Sequence, residues 1–129
     1  ILQNNLKTRH GVKPTHTLDE LKKIKADFPK EVTLFGAYYN DIMVSGVINF
    51  HINEKAVLAF YISHDENYSA LRSVNLLFYS VFRWAINNGY SIYDFGLFTI
   101  DGEPNMGLGR FKENFGASGI FRDTIEIRL

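Results

Sequence analysis

The sequence predicts an α/β (α+β) fold in which a mixed, mostly antiparallel sheet is flanked by helices. Three strand-like segments follow one another between residues 32 and 62, separated by short polar turns. The apolar period then changes to that of a helix over residues 74–86. A short strand, a short helix and a last strand are predicted after it, so sheet and helices should pack together around one core.

The amino-terminal region carries one clear helix signal. Residues 1–16 are polar, contain Gly11 and Pro14, and are interpreted as a lead-in or as the tail of an upstream helix. Thr17 is the predicted N-cap of the helix that follows, which Pro29 ends. The helical spacing is carried by Leu18, Leu21, Ile24 and Phe28, with Asp19 and Glu20 in the favourable first turn.

Three strands are predicted next. Val32 to Tyr39 forms the first, and Asn40-Asp41 is the turn that ends it. The second strand should present one apolar face by strict alternation, and residues 53–55 make the next turn. The third, residues 57–62, is apolar at every position, as expected of a central strand that is covered on both sides. The alternating face consists of Ile42, Val44, Gly46, Ile48, Phe50 and Ile52.

A strongly amphipathic helix follows the strands. Its apolar side chains recur at helical spacing, and Asn88-Gly89 provides the stop signal. Residues 91–95 are predicted as a short strand and residues 96–106 as a loop. Ligands usually bind such sheets at loops beside the carboxyl ends of central strands. The apolar face of the helix consists of Val74, Leu77, Phe78, Val81, Phe82, Ala85 and Ile86.

The segment from Gly107 to Gly116 has an unusual composition. It is predicted to form a short helix over residues 108–115, whose first turn carries Arg110 and Lys112. Two cations at a helix amino terminus can hold a phosphate, a carboxylate or a developing oxyanion. In the alternative interpretation the glycines serve turns, Phe111 and Phe115 anchor the helix, and the cations are solvated. A last strand is predicted over residues 119–129.

Composition excludes several classes of protein. The net charge is zero, which gives no support for a nucleic-acid binder. The absence of cysteine excludes a thiol nucleophile and cysteine-ligated metals, and fits a cytoplasmic protein. No apolar run approaches the ~18 residues of a membrane span. The histidines lack metal-ligand spacing, so no metal is expected, and His64-Asp65 is interpreted as a turn. There is no G-x-S-x-G motif of a serine hydrolase.

Four landmarks occur in order between residues 35 and 116 and resemble the second GNAT-like domain of FemAB-type proteins. They cover about two-thirds of the chain. These landmarks are the strand Phe60-Tyr61-Ile62-Ser63, the loop and helix running from Tyr68 through Asn75 to Ala85, the strand end Tyr93-Asp94-Phe95-Gly96, and the motif Phe111-Lys112-x-x-Phe115-Gly116.

The resemblance implies a GNAT-like fold and an architecture of two such domains facing each other across a cleft. Residues 1–129 would then be a single domain of a longer protein, with a similar domain upstream. Characterised members transfer an amino acid from aminoacyl-tRNA to an amine of a peptidoglycan precursor, and wider relatives use acyl-CoA. The family lysine, here Lys112, is implied to hold substrate or to stabilise an oxyanion.

The sequence departs from CoA-using GNAT enzymes in the segment that would bind the acyl donor. CoA-using GNAT enzymes carry a Gln/Arg-x-x-Gly-x-Gly/Ala motif after the central strand, where backbone N–H groups bind the pyrophosphate. The corresponding stretch here, Ser63 to Val74, contains no glycine. FemAB-type domains lack the motif too, so this absence favours them.

The sequence therefore leads to a hypothesis of direct acyl transfer, in which a substrate amine attacks an activated ester or thioester without a covalent enzyme intermediate. Lys112, helped by Arg110, would offset charge on the tetrahedral oxygen, and Asp94 would orient the amine or simply cap its strand. No tightly bound cofactor is expected, and the donor is either aminoacyl-tRNA or acyl-CoA. Two alternatives stay open: a non-catalytic half that completes a partner domain's cleft, and an ordinary acyl-CoA N-acyltransferase. The remaining residues expected to contact substrate are Tyr68, Arg72, Asn75, Gly109 and Phe111.

Overall fold

The computed structural model describes residues 1–10, 13–100, 102–123 and 125–127. The chain divides into two compact units, Ile1–Gly96 and Leu97–Leu129. The first unit contains α1 (Leu2–His10), α2 (Leu18–Asp27), β1 (Val32–Tyr39), β2 (Ile42–His51), β3 (Ala56–His64), a 3-10 helix (Glu66–Leu71), α3 (Ser73–Asn87) and β4 (Ile92–Asp94). The second contains β5 (Thr99–Ile100), β6 (Glu103–Pro104) and α4 (Met106–Glu113).

The main sheet has the strand order β1-β2-β3-β4. The first three strands pair antiparallel, and β3 pairs parallel with β4. Both residues of the β1–β2 turn have positive φ, 47° for Asn40 and 62° for Asp41, as in a two-residue type I′ turn. The prediction of a mixed, mostly antiparallel sheet flanked by helices is therefore confirmed.

The amino-terminal helix α1 occupies most of the stretch that the sequence leaves as a lead-in or helix tail. It packs beside β3. Among its described side chains only Asn5 is buried. Because the buried residue of this short helix is an amide, the sequence shows no apolar period that would indicate the helix.

Helix α2 begins where the sequence predicts. The Thr17 backbone N–H donates to Glu20 Oε2 at 2.7 Å, and the Glu20 N–H donates to Thr17 Oγ1 at 3.3 Å. This reciprocal pair is a capping box, and its hydrogen bonds hold the pKa of the Glu20 carboxyl below its ordinary value. No residue of α2 is fully buried. Burial on this helix is limited to the half-buried Leu21 and Ile24, so the cap adds to a small apolar contribution.

The core lies between the sheet and α3. The prediction for α3 is confirmed at its ends and along most of its apolar face, where Leu77, Phe78, Val81 and Ala85 are buried. Fully burying one such large side chain contributes about 1.5–3 kcal/mol. Ile86 is the exception, since it is 71% exposed.

Strand β2 corrects the predicted apolar face. Val44 is buried as predicted, but the other three buried residues of β2, Ser45, Val47 and Asn49, lie on the opposite side from Ile48 and Phe50, which are only half-buried. Bulges interrupt the ladder between Ala37 and Tyr38 of β1 and between Ile48 and Asn49 of β2. An extra residue at a bulge changes which side chains face inward. Strict alternation therefore does not hold along the whole strand.

The second unit differs from the sequence prediction in two places. The predicted loop over residues 96–106 contains the antiparallel hairpin of β5 and β6. The strand predicted over residues 119–129 is wrong for residues 119–123 and 125–127, which lie in no helix or strand, while 124, 128 and 129 fall outside the described residues. Alternating side chains form a strand only when a partner strand supplies the ladder hydrogen bonds. The apolar side chains of this segment, Ile120, Phe121, Ile125 and Ile127, are exposed.

Within the described residues, no helix has the length and apolar character that crossing a membrane requires.

Candidate active site

The most distinctive backbone feature of the first unit is a divergence of two parallel strands. The pairing of β3 with β4 ends at Leu58 and Asp94, whereas β3 continues to His64. In the part of the chain that the structure describes, no other strand pairs with this side of β3. We call the stretch of β3 from residue 59 to residue 64 the open edge.

The backbone polarity of the open edge follows from its pairing with β2. The Asp65 N–H donates to the Val44 carbonyl at 2.8 Å, on the β2 side. Because successive N–H groups of a strand point to alternate sides, those of Ile62 and His64 point away from β2. An extended ligand lying along β3 can therefore receive hydrogen bonds from this edge.

The chain leaves the open edge through a tight connection to α3. The Asp65 carboxylate caps the 3-10 helix by accepting from the Asn67 N–H at 3.0 Å, so the predicted turn begins at Asp65, whereas His64 is still the last residue of β3. Arg72 then adopts a left-handed conformation with φ 48° and ψ 38°. Such a backbone is uncommon for a residue with a side chain, and strain of this kind clusters at functional sites.

Three predicted substrate contacts lie in this connection or in the first turn of α3. Tyr68 is half-buried, with its ring centroid 6.2 Å from that of Tyr39. Arg72 and Asn75 are exposed, and the Asn75 N–H donates to the Arg72 carbonyl at 3.0 Å. No side chain caps the amino terminus of α3 in the described structure. The amino terminus of α3 therefore carries the partial positive charge of its first N–H groups without a side-chain cap.

Asp94 ends β4 in the same unit. Its Oδ1 accepts from the Gly96 N–H at 2.7 Å, and Gly96 has a φ of 67°. The carboxylate therefore holds the chain as it turns out of the sheet. This is the capping arrangement that the sequence left open beside a role in orienting an amine.

Helix α4 corrects the argument from the helix amino terminus. It starts at Met106 because the Asn105 side chain caps it, accepting from the Leu108 N–H at 3.0 Å. Arg110 and Lys112 therefore lie in the last turn and not in the first. The helix dipole is negative there, so the amino-terminal N–H groups do not reinforce these two cations.

Lys112 is nevertheless unusual for a lysine. It is 7% exposed, and its Nζ donates to the Leu97 carbonyl at 2.5 Å. Two neighbours on α4 also have close packing: the Phe111 ring lies 5.2 Å from that of Phe115, and a Cβ at Gly109 would approach Phe98 at 3.4 Å. The phenylalanine pair thus anchors the helix as the alternative interpretation predicts.

The predicted site residues fall into two groups. Tyr68, Arg72 and Asn75 gather at the β3–α3 connection of the first unit, which also carries Asp94 at the end of β4. The other four, Gly109, Arg110, Phe111 and Lys112, follow one another along α4 in the second unit.

Sequence reasoning missed a pair of ionisable residues beyond the open edge. His64 Nε2 lies 3.4 Å from Glu66 Oε2, and Glu66 Oε1 accepts from Asn5 Nδ2 at 3.1 Å. The sequence signal at this point is limited to His64-Asp65, which indicates a turn. The contribution of Asn5 could not be found from the sequence, because it joins positions 61 residues apart.

The model of a family described as the acetyltransferase (GNAT) domain matches residues 3–113. No curated protein matches the sequence significantly. Among solved structures, a possible acetyltransferase from Clostridium difficile 630 has a TM-score of 0.72 at 13% identity, covering 98% of this chain and 86% of that one.

Two further structures share the fold. AAC(6')-Iy, solved with the bisubstrate analogue CoA-S-monomethyl-acetylneamine, has a TM-score of 0.69 at 14% identity, covering 98% of this chain and 88% of that one. Ribosomal-protein-alanine N-acetyltransferase from Brucella melitensis biovar Abortus 2308 has a TM-score of 0.65 at 12% identity, with 99% and 91% covered. Because the family model spans most of its length, this chain belongs to the GNAT acetyltransferase domain family.

Proposed function

We propose that this chain transfers an acyl group from a coenzyme A thioester directly to a substrate amine. The observation that carries the proposal is the open edge of β3, which leads to the positive amino-terminal end of α3. An extended acyl-pantetheine can accept hydrogen bonds along such an edge while its phosphates lie near the helix terminus. Membership of the GNAT family supports the same assignment.

The reaction needs no enzyme nucleophile. The amine nitrogen attacks the thioester carbonyl, a C–N bond forms, the C–S bond breaks, and the nitrogen loses a proton as the thiol leaves. The chain has no cysteine, which is consistent with direct attack. A sequential mechanism without an acylated enzyme is the kinetic consequence.

The donor must be accommodated without glycines between Ser63 and Val74. A glycine in such a loop allows positive φ and close approach of a ligand to the backbone. Arg72 adopts a positive φ without being glycine, and it adds a guanidinium suited to phosphate oxygens. We assign Tyr68, Arg72 and Asn75 to donor binding on this basis.

The predicted residues that touch the reacting atoms remain part of the proposal. Lys112 and Arg110 are the cations proposed to offset charge on the tetrahedral oxygen, with Gly109 and Phe111 contacting substrate beside them. Burial of Lys112 supports its role, because a charge acts more strongly where water is excluded. Asp94 is proposed to orient the amine, which its carboxylate can do while it accepts from Gly96.

The amine as acceptor finds support in the structural relatives. The analogue bound to AAC(6')-Iy joins CoA to acetylneamine, and the Brucella protein is named as an alanine N-acetyltransferase.

The proposal is tested by thiol release. Acetyl-CoA and a panel of primary amines are incubated with the chain, and free thiol is measured with a chromogenic disulfide. We expect release that requires both substrates and saturates with each. Intact mass spectrometry at rest should show no acylated protein. The absence of amine-dependent release across the panel would overturn the proposal.

A second candidate is a FemAB-type aminoacyltransferase that acts with an upstream GNAT-like domain on a cell-wall precursor. The missing glycines and the Phe111-Lys112-x-x-Phe115-Gly116 motif favour it. Titration with aminoacyl-tRNA, with uncharged tRNA as the control, distinguishes this donor from acyl-CoA. Tighter binding of the aminoacylated form would favour the second candidate. If the chain binds neither acetyl-CoA nor aminoacyl-tRNA, the remaining alternative is a non-catalytic half of a larger cleft.

A further inference from the structure

Strand β1 has one side that no strand of the described residues covers. Its other side pairs with β2, and we call the uncovered side the outer edge. The strand has eight residues, among which there is no charged residue and no proline. Natural sheets usually protect such an edge with a lysine, a proline, a bulge or a covering element. The bulge near the end of β1 lies in β2, because the pairing skips Val44, so it does not interrupt the outer edge.

The backbone groups on the outer edge belong to alternate residues of β1. The carbonyl of Glu31, just before the strand, accepts a hydrogen bond from β2 at 2.7 Å. The next carbonyl, that of Val32, accepts from Lys25 Nζ at 2.7 Å instead. Because the N–H and C=O groups of successive residues point to alternate sides, those of Leu34 and Gly36 also point away from β2. The outer edge therefore offers donors and acceptors to another strand.

The side chains beside these backbone groups are apolar. The Phe35 ring lies 5.1 Å from a tryptophan ring of α3, so Leu34 and Tyr38 lie on the opposite face of the sheet. Leu34 is 64% exposed and Tyr38 is 65% exposed. A Cβ at Gly36 would lie 2.5 Å from Met43 Cε and 3.1 Å from the Tyr38 ring, so these two side chains cover the glycine. Backbone ladder and apolar surface thus occur together at the outer edge.

We propose that the outer edge pairs with the outer edge of a second copy of this chain, antiparallel and about a two-fold axis at Phe35. In this register Leu34 of one copy faces Gly36 of the other, and each such pair exchanges both of its hydrogen bonds. Leu34 then packs on the Tyr38 and Met43 side chains that cover the facing glycine. The two Phe35 rings lie opposite each other, which is a favourable cross-strand pair. This inference does not depend on the proposed function.

Charge favours the antiparallel arrangement over a parallel one. At the amino end of β1, Lys25 Nζ is held by two backbone carbonyls at 2.6 and 2.7 Å, and Lys30 is exposed nearby with Glu31. The other end of the strand leads into the turn that carries the exposed Asp41. Antiparallel pairing brings the lysines of one copy beside Asp41 of the other, whereas parallel pairing would bring lysine beside lysine.

The assembly ends at two copies. A two-fold contact uses the outer edge of both chains and leaves none for a third. Since β1 and β4 lie at opposite ends of the strand order, the contact does not cover the open edge of β3.

Size-exclusion chromatography with light scattering, on the whole chain at rising concentration, tests the pairing. We expect a mass that approaches twice the 14.8 kDa of one chain. Leu34→Lys places a charge on the outer edge and should weaken self-association by at least about tenfold. Leu76→Lys is the matched control, because Leu76 is 65% exposed on α3 and should leave the dimer intact. Thermal melts should show that both variants stay folded.

Amide hydrogen exchange identifies the edge that pairs. The N–H groups of Leu34 and Gly36 should become protected as concentration rises, whereas that of Phe35, which faces β2, should be protected throughout. If Leu34→Lys does not fold, this concentration dependence in the unaltered chain decides the question. A monomer at every concentration, an assembly larger than two, or an intact dimer in folded Leu34→Lys would each overturn the proposal. Loss of the dimer in Leu76→Lys, or rapid exchange of Leu34 and Gly36 within the dimer, would do the same.

Discussion

At the scale of single residues, buried polar side chains account for the largest differences between the sequence patterns and the structure. Asn49 is fully buried on β2, and its Oδ1 accepts from the Tyr93 hydroxyl at 2.6 Å. Burial raises the pKa of the Tyr93 phenol, so the group stays protonated and continues to donate. An alternating apolar pattern gives no hint of such a pair, because its members are 44 residues apart in the chain.

His51 forms a second polar centre, enclosed by rings. Its Nδ1 lies 3.0 Å from the Tyr90 hydroxyl and its Nε2 lies 3.3 Å from Thr33 Oγ1, and its ring is 5.3 Å from that of Trp84. Burial lowers the pKa of His51, with Glu31 opposing the shift and Lys25 adding to it. The folded protein therefore favours the neutral imidazole.

The free energy of unfolding should consequently depend on pH over the range in which His51 takes up a proton. The unfolded chain, with a histidine pKa of about 6.5, takes up a proton before the folded chain does. The contribution of His51 is fully present above that pH and is lost as pH falls through the lower folded-state pKa. Urea unfolding at a series of pH values should show this fall, and His51→Gln should flatten it. An equally steep fall in the variant would assign the effect to another group.

Lys112 should matter for stability whatever its part in catalysis. Lys112→Met keeps most of the buried stem but removes the donor to the Leu97 carbonyl, which should cost about 1–3 kcal/mol in the free energy of unfolding. Arg110→Met is the matched control on the exposed side of α4 and should change it by less than about 0.5 kcal/mol. Denaturant unfolding of both variants measures the difference. Equal stabilities would mean that the contact with Leu97 contributes nothing.

At the scale of elements, the predictions were accurate where local sequence signals define an element and wrong where pairing with other strands or a side-chain cap defines it. Strand β1 and helix α3 were predicted at their observed ends, because a turn pair or a stop signal bounds a clear apolar period. The faces of β2 and the start of α4 were wrong for local reasons. Bulges depend on pairing with neighbouring strands, and the Asn105 cap was masked by the glycines that follow it.

Helix α2 is suited to measuring how much a local capping interaction contributes to the stability of a helix. It has no fully buried residue, so its Thr17–Glu20 capping box should contribute a large share of its stability. Thr17→Ala should lower the free energy of unfolding by about 1 kcal/mol. Thr15→Ala, in the same exposed approach to the helix, should have little effect. A loss of the same size in both variants would point to threonine composition rather than to the cap.

At the scale of the molecule, the fold class predicted from the sequence is confirmed, whereas the site roles of Tyr68, Arg72, Asn75 and Asp94 stay predictions. Those residues could be proposed from the sequence because they lie close to the ends of β3 and β4, where ligands are expected. Other parts of the site were not predictable. The open edge depends on where two strands stop pairing, which no local pattern of residues indicates.

The central claim is that the open edge of β3 binds an acyl-CoA donor. Amide NMR during titration with acetyl-CoA tests it most directly, because the signals of residues 59–64 and of the first turn of α3 report on the two parts of the proposed path. We expect saturable shifts in both stretches, with little change in β1 at the far edge of the sheet. Shifts confined to other elements, or none with acetyl-CoA in excess, would contradict it.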